Sequence, residues 1–184
     1  GAADQRRGAA APATISGGFG NNLIHARTGA DGITAGPDAD QVDSDSGPDR
    51  IDAGDGNDTV WVNNGTAVET VDCGPGDDTV SYGRSDAAMR IQLGGTGGPQ
   101  GCANDDQVGG SNESLEGSDG PDVLIGDSGE NSFLGHKGAD IFLGKGGADF
   151  IDALDGSHDK AINCGGGPGD DILLGGDGDD VLTG

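Results

Sequence analysis

Apolar side chains recur at every ninth residue along most of the chain, and glycine and aspartate keep fixed distances from them. From Gly17 five nine-residue units follow one another to Trp61, and four more run from Gly117 to Asp152. Three further units occupy residues 73–81, 166–174 and 175–183. In all twelve units position six is Asp or Asn and position eight is aliphatic or Phe, while position four is Gly in eleven of them. So short a period predicts a repetitive coil.

Each unit predicts a turn at positions one to six and a strand at positions seven to nine. Glycine at positions one, two and four suits a tight turn, and the β-branched residues at position eight suit a strand. Successive side chains of a strand face opposite ways, so position eight points inward and its neighbours point outward. Two units complete one coil of 18 residues. We predict an all-β fold, a parallel β-roll (a β-helix or solenoid) with two repeats per coil and one irregular loop insertion.

Degenerate units continue this phase between the regular ones. Residues 64–72 and 108–116 keep a carboxylate at position six, Glu69 and Glu113 respectively. Two looser candidates, residues 84–92 and 155–163, have Ile91 and Ile162 inward and no carboxylate at position six. At these two we expect rungs without complete metal sites.

The predicted organisation is a single β-roll over residues 17–184. Residues 93–107, rich in Gly, Asn and Asp, fit no phase and predict a loop within an irregular insertion at about residues 82–107. Residues 1–16 form an N-terminal segment, and whether it is partly ordered as a first rung stays open.

Composition and charge exclude several classes of function. Forty glycines, 32% hydrophobic residues and 3% aromatic residues leave too little apolar volume for a helical bundle or a Rossmann-type enzyme. Lys and Arg number 9 against 33 Asp and Glu, and the formal charge of −24 repels nucleic acid and anionic membranes. No apolar run approaches the length of a membrane span. The expected partner of this charge is a metal cation.

The aspartates at position six are the candidate metal ligands. Stacking of coils brings them to about 4.8 Å from one another, where like charges repel and a divalent cation turns repulsion into attraction. Calcium fits best, because it accepts six to eight oxygen ligands with flexible geometry, whereas zinc and copper lack His or Cys clusters here. Successive turns lie on opposite edges, so metal pairs join unit i with unit i+2. The predicted pairs are Asn22 with Asp40, Asp31 with Asp49, Asp40 with Asp58, Asp122 with Asp140, and Asn131 with Asp149, and further ligands are Asp78, Asp171 and Asp180.

The consensus G-G-x-G-x-D-x-U-x resembles the RTX (hemolysin-type) calcium-binding nonapeptide repeat of secreted bacterial proteins, in a form similar to actinobacterial members. The resemblance covers about residues 17–183. It implies a flattened β-roll that binds several calcium ions, with backbone carbonyls of turn residues completing each ligand shell. Here these would include Gly54, Gly56, Gly167, Gly169, Gly176 and Gly178.

The sequence therefore favours a calcium-binding repeat module of a secreted bacterial protein that folds and becomes rigid on binding several Ca²⁺ ions. The expected partners are calcium ions, with no nucleic acid, no direct membrane insertion and no catalytic activity of its own. Two alternatives stay open. One is a calcium-dependent structural or adhesion protein that self-associates end to end through an uncapped C-terminal coil. The other is the non-catalytic RTX part of a secreted hydrolase or epimerase.

Three cysteines lie far apart with no CxxC spacing. A disulfide between Cys73 and Cys102 would close a loop of about 30 residues and stabilise the fold by roughly 3–4 kcal/mol. Cys164 begins a C-G turn like that of Cys73 and is a rival partner. Three small buried thiols are the remaining alternative.

Overall fold

The computed structural model describes residues 4–62, 70–84, 90–92, 113–166 and 169–175. Within these residues the regular elements are seventeen short strands. They are β1 (Gln5–Arg7), β2 (Thr14–Ser16), β3 (Leu23–His25), β4 (Gly32–Thr34), β5 (Gln41–Asp43), β6 (Arg50–Asp52), β7 (Thr59–Trp61), β8 (Thr70–Asp72), β9 (Thr79–Ser81), β10 (Arg90–Gln92), β11 (Glu113–Glu116), β12 (Val123–Ile125), β13 (Asn131–Leu134), β14 (Ile141–Leu143), β15 (Phe150–Asp152), β16 (Ala161–Asn163) and β17 (Ile172–Leu174). No helix of the described residues is long and apolar enough to cross a membrane.

Alternate strands lie on opposite faces of the coil, and all pairs are parallel. The odd-numbered strands form one nine-stranded sheet in the order β1-β3-β5-β7-β9-β11-β13-β15-β17. The even-numbered strands form two four-stranded sheets, β2-β4-β6-β8 and β10-β12-β14-β16. In the first block of repeats each residue pairs with the one 18 positions later, as Ile24 does with Val42. The predicted parallel β-roll with two repeats per coil is confirmed.

The core is a stack of position-eight side chains between the two faces. Ile24, Val42, Leu124 and Phe142 are fully buried, while their strand neighbours at positions seven and nine are mostly half-buried or exposed. A three-residue strand has one inward side chain, so each unit contributes one large apolar group here. The predicted inward column is therefore present.

Position one supplies a second inward column that the sequence prediction missed. Ala26, Ala35 and Ala53 are almost completely buried in the same core, and so is Cys73. Each follows directly after a strand, where the chain enters the turn, so its side chain still faces the interior. In these units the core of the roll thus contains two inward side chains, one small and one large.

The coil also extends over parts of the chain outside the regular units. Strands β1 and β2 pair with β3 and β4 and continue both faces toward the N-terminus. Within the interval predicted as an irregular insertion, β10 pairs with β12 in the register of a normal rung. The predicted loop at 93–107 lies outside the described residues.

Candidate metal centre

The side chains at position six are buried although they are polar or charged. Asn22, Asp31, Asp40, Asp49, Asp58, Asp78, Asp122, Asn131, Asp140 and Asp149 are all at most 3% exposed. Each lies at the end of its turn, immediately before a strand or, for Asn131, at the first position of one. Burial of a carboxylate is costly unless donors or cations balance its charge. The partners of these groups therefore decide what the turns can bind.

The position-six carboxylates of stacked coils form a ladder, in which one oxygen of each carboxylate accepts a backbone N–H from the preceding coil. The amide N–H of Asn22 donates to Oδ1 of Asp40 at 2.6 Å, and that of Asp31 donates to Oδ1 of Asp49 at 2.8 Å. The same bond joins Asp40 to Asp58 at 2.7 Å, Asp122 to Asp140 at 2.8 Å, and Asn131 to Asp149 at 2.9 Å. The structure thus brings together all five residue pairs that the sequence predicted, and their role as ligands stays a prediction.

The second oxygen of several of these carboxylates is buried without a hydrogen-bond partner among the described residues. The atoms are Oδ2 of Asp31, Asp40, Asp49, Asp58 and Asp149. A buried polar atom left unpaired costs about 1–3 kcal/mol, and more when it is charged. A row of such atoms on successive coils is the arrangement that a bound cation would satisfy.

The pKa values of these carboxyl groups reflect their burial with too few hydrogen-bond donors. Burial, only partly offset by the backbone N–H bond, raises the pKa of Asp58 to about 7 and that of Asp140 to about 7. The pKa of Asp149 rises to about 6, again mainly through burial. Carboxylates of neighbouring coils raise these pKa values further, for example Asp40 acting on Asp58. Burial likewise raises the pKa values of Asp40 and Asp49. Without a cation nearby, burial therefore disfavours the charged form of these carboxyl groups.

Asn22 shows where the backbone carbonyls of a turn point. Its side-chain Nδ2 donates to the carbonyl of Gly20 at 2.6 Å and approaches that of Gly18 at 3.5 Å. Gly18 and Gly20 hold positions two and four of the turn, as Gly54 and Gly56 do in the turn of Asp58. In the turn of Asn22 the carbonyls at these positions thus face the position-six side chain. An Asp in the same place would bring a carboxylate oxygen to these carbonyl oxygens, an arrangement that suits a hard cation such as Ca²⁺.

Left-handed backbone at positions two and four creates this geometry. Gly54 has φ of +105° and Gly56 has φ of +139°. A Cβ on Gly56 would lie 2.5 Å from the carbonyl oxygen of Asp38 on the preceding coil. Glycine is therefore required there both by conformation and by the close stacking of turns.

The remaining predicted ligands differ in how far the structure describes them. Asp78 accepts the N–H of Asp58 at 2.8 Å, in line with the ladder. Asp171 accepts the N–H of Asp149 at 2.9 Å from an exposed position, and Gly169 has φ of +124°. Gly167, Gly176, Gly178 and Asp180 lie outside the described residues.

Asp159 is a ladder member that the sequence prediction missed. It is 2% exposed, and its Oδ1 accepts the N–H of Asp140 at 2.9 Å. Position six of residues 155–163 is Lys160, as the sequence analysis states, but Asp159 takes the equivalent place because Lys160 is an extra residue between it and the strand. A search that allowed a single insertion before Ile162 would have found it.

Side-chain ligands alone do not surround a metal. Among the described residues no three His, Cys, Asp or Glu side chains converge as a metal-binding group. A cation in these turns would therefore be held by few carboxylate oxygens and by carbonyls such as those facing Asn22.

The cysteines are in two states. Cys73 is disulfide-bonded and Cys164 is a free, half-buried thiol. Both the pairing of Cys73 with Cys164 and the alternative of three thiols are therefore wrong. Cys102 lies outside the described residues, so its pairing with Cys73 stays a prediction.

Comparison with known proteins identifies the repeat. A family model described as the RTX calcium-binding nonapeptide repeat (4 copies) matches residues 13–42, 34–66, 108–142, 116–151, 134–157 and 165–184. These segments together cover about two thirds of the chain. None of the curated proteins compared with the chain matches it.

Proposed function

Because the chain belongs to the family of RTX calcium-binding nonapeptide repeat proteins, we propose that it is a non-catalytic module of a secreted bacterial protein that folds and becomes rigid on binding several calcium ions. The single observation that carries this proposal is the row of buried carboxylate oxygens at Asp31, Asp40, Asp49 and Asp58, which have no hydrogen-bond partner within the part of the chain that the structure describes. These atoms lie on successive turns of one block, two on each edge of the coil.

The residues present fit calcium better than other common cations. The turns offer carboxylate and carbonyl oxygens, the ligands that calcium takes in groups of six to eight with flexible geometry. Magnesium demands a stricter octahedron and keeps its water. In the turns whose buried Oδ2 has no hydrogen-bond partner among the described residues, the position-six carboxylate would bind through Oδ2 while its Oδ1 keeps the backbone N–H of the preceding coil. When bound, calcium supplies positive charge between carboxylates that otherwise repel one another.

Folding and binding are coupled in this proposal. The ligands of one site come from turns one coil apart, so the complete site exists only when the coils are stacked. A ligand that binds the folded chain and not the unfolded chain stabilises the fold by mass action. The net charge of −24 strengthens this dependence, because the collapsed apo chain repels itself. Extracellular calcium would then act as the trigger of folding.

A calcium titration tests the proposal. Far-UV circular dichroism of the chelator-treated protein should show a transition to β-structure with calcium and not with magnesium. Isothermal calorimetry should give several ions per chain. Asp40→Asn, which keeps size and removes charge, should lower the number of bound ions, while Asp52→Asn on an exposed strand position should leave it unchanged. A chelated protein that is already fully β-structured and does not respond to calcium would overturn the proposal.

End-to-end self-association stays an alternative prediction for the same module. Light scattering recorded during the titration tests it, because assembly would raise the scattering as calcium is added. Membership of a larger secreted enzyme is the other alternative, and hydrolysis of a broad substrate panel by the secreted full-length protein would support it.

A further inference from the structure

The first repeat of the block 17–61 closes its own turn through Asn22. The amide Nδ2 donates to the carbonyl of Gly20, and the amide Oδ1 accepts the N–H of Asp4 at 3.2 Å. Asn22 is 2% exposed and has a protein partner for both polar atoms of its side chain. The Nδ2–H group of Asn22 thus contacts the carbonyl of Gly20. In the following turns the residue at the same position is Asp, and its Oδ2 has no hydrogen-bond partner among the described residues.

The first repeat of the block 117–152 closes by a different device. Ser118 donates its backbone N–H to Oδ2 of Asp122 at 2.6 Å and its hydroxyl to Oδ1 at 2.9 Å. Ser118 is completely buried and occupies position two, where most other turns have glycine or another residue with positive φ. Both oxygens of the Asp122 carboxylate therefore have donors from within the turn.

The next turns in the first block lack such devices. Asp31 and Asp40 follow Asn22 on the two edges of the coil, and each has a buried Oδ2 without a partner among the described residues. The bond from Asn22 to Gly20 and the bonds from Ser118 to Asp122 are local, spanning two to four residues, so these bonds do not need a stacked neighbour to form, whereas the bond from Asp4 to Asn22 joins two coils.

We propose that the turns ending at Asn22 and Asp122 close by protein hydrogen bonds in place of calcium, so that each block of repeats starts from a turn that is ordered without the ion. This inference rests on the proposed calcium-binding function, since it identifies the turns of the roll that do not take part in it. Asn22 and Asp122, which the sequence assigns to the ligand columns, then act as substitutes for metal sites. Calcium-dependent turns stack on these starting turns, which lowers the entropic cost of forming the first complete site.

Variants at the two turns test the inference. Asn22→Asp keeps the size of the side chain but replaces the donor by a second oxygen, so it should add one bound calcium ion per chain. Ser118→Gly frees the Asp122 carboxylate and should also add one ion. Asn21→Asp, an exposed change of the same charge next to Asn22, is the matched control and should add none. Ions are counted by calorimetry at saturating calcium, after circular dichroism has shown the variant folded.

Hydrogen exchange of the calcium-free protein provides a second readout that no change in charge alone would produce. Peptides covering residues 17–22 and 117–122 should exchange more slowly than the peptide covering 35–40. Asn22→Ala removes the donor without creating a ligand, so it should abolish the slow exchange at 17–22 and leave the number of ions unchanged.

The two proposals fail in different ways. A wild-type chain that binds no calcium contradicts the proposed function. A wild-type chain that binds calcium, with either no added ion in Asn22→Asp and Ser118→Gly or no slow exchange at the two turns, contradicts this inference alone.

Discussion

The blocks 17–61 and 117–152 use the same turn and strand but fill the core differently. In the first block position eight is Ile or Val and position one is commonly Ala, as in the pair of Ala35 with Val42. In the second block position one is Gly in all four units and position eight reaches the size of Phe, as in the pair of Gly135 with Phe142. In the units of Phe133 and Phe142 the larger inward side chain thus accompanies loss of the side chain at position one, where a Cβ would meet the ring.

The two blocks also differ in the polar column. Among the described residues, four carboxylates of the first block, Asp31, Asp40, Asp49 and Asp58, have a buried oxygen without a hydrogen-bond partner, and in the second block Asp149 has one. The rings of Phe133 and Phe142 lie 6.5 Å apart at 50°, a favourable tilted contact. We therefore expect the stability of the first block to depend more on bound cations and that of the second block to depend more on apolar packing.

Removal of calcium should produce the largest difference in stability between the two blocks. In chelator we expect amides of residues 23–61 to lose most of their exchange protection, because their buried carboxylates repel and lack a counter-ion. Amides of 123–152 should keep more protection through the aromatic core. Hydrogen exchange with mass spectrometry measures both in one sample. Equal loss of protection in the two blocks would contradict a greater dependence of the first block on calcium.

Lowering the pH should restore much of the stability that the first block loses without calcium. The pKa of Asp58 is about 7 in the folded chain against an ordinary value of 3.8, so between pH 4 and 7 the folded state binds more protons than the unfolded state. The free energy of unfolding of the calcium-free protein therefore rises as the pH falls from 8 toward 4, and gains nothing further below that. Asp40 and Asp49 add to this trend in the first block.

Urea unfolding in metal-free buffer at pH 8, 6.5 and 5 measures the effect. At saturating calcium the trend should invert, because protons compete with the ion for the same oxygens. A calcium-free protein that is least stable at pH 5 would show that buried carboxylate charge does not cause its low free energy of unfolding.

Truncation of the large side chains should affect the second block more. Phe142→Ala is expected to cost about 3–5 kcal/mol of unfolding free energy through a core cavity. Val42→Ala in the equivalent unit removes only two methyl groups and should cost roughly 1–2 kcal/mol. Urea unfolding at saturating calcium compares the two. Similar losses would mean that the aromatic core adds no special stability.

Substitution of Gly135 tests directly whether glycine at position one makes room for the large side chain of Phe142. A Cβ on Gly135 would lie 2.7 Å from Cζ of Phe142 and 2.7 Å from Oδ2 of Asp140. Gly135→Ala should therefore destabilise the protein by about 1–3 kcal/mol through overpacking. Adding Phe142→Val recreates the Ala–Val pair of the first block, and the double variant should lose less than the sum of the two single changes. Simple additivity in calcium-saturated unfolding would argue against compensation.

The smallest effect is expected on the outer face of the first block. Arg84 bonds Oδ2 of Asp43 at 2.8 Å, and its guanidinium carbon lies 5.4 Å from the ring centroid of Trp61. Because Arg84 is 48% exposed, Arg84→Ala should cost only about 0.2–1 kcal/mol. Arg50→Ala, at an exposed strand position, is the control. A loss near that of Phe142→Ala would show that outer contacts, and not the core, hold this block.

Much of the fold could be predicted because the period is strict. Strands such as Leu23–His25 and Ile141–Leu143 begin and end where the nine-residue phase places them. Asp159 was missed because one inserted residue shifts it by a single position, and a rigid phase has no place for it. The inward direction of Ala35 was missed because a turn residue has no alternation from which its direction could be predicted.

The sequence by itself determined the coil, the alternation of its faces, and the columns of aspartate that meet between coils, because each follows from local chemistry repeated every nine residues. Only the tertiary structure decided which carboxylate oxygen of Asp40 receives a backbone N–H and which remains without one. It also decided that Asn22 and Ser118 close their own turns, and that Gly135 makes room for Phe142. These features depend on the orientation of individual atoms and on side-chain volumes facing one another in the core, and neither is expressed in the period.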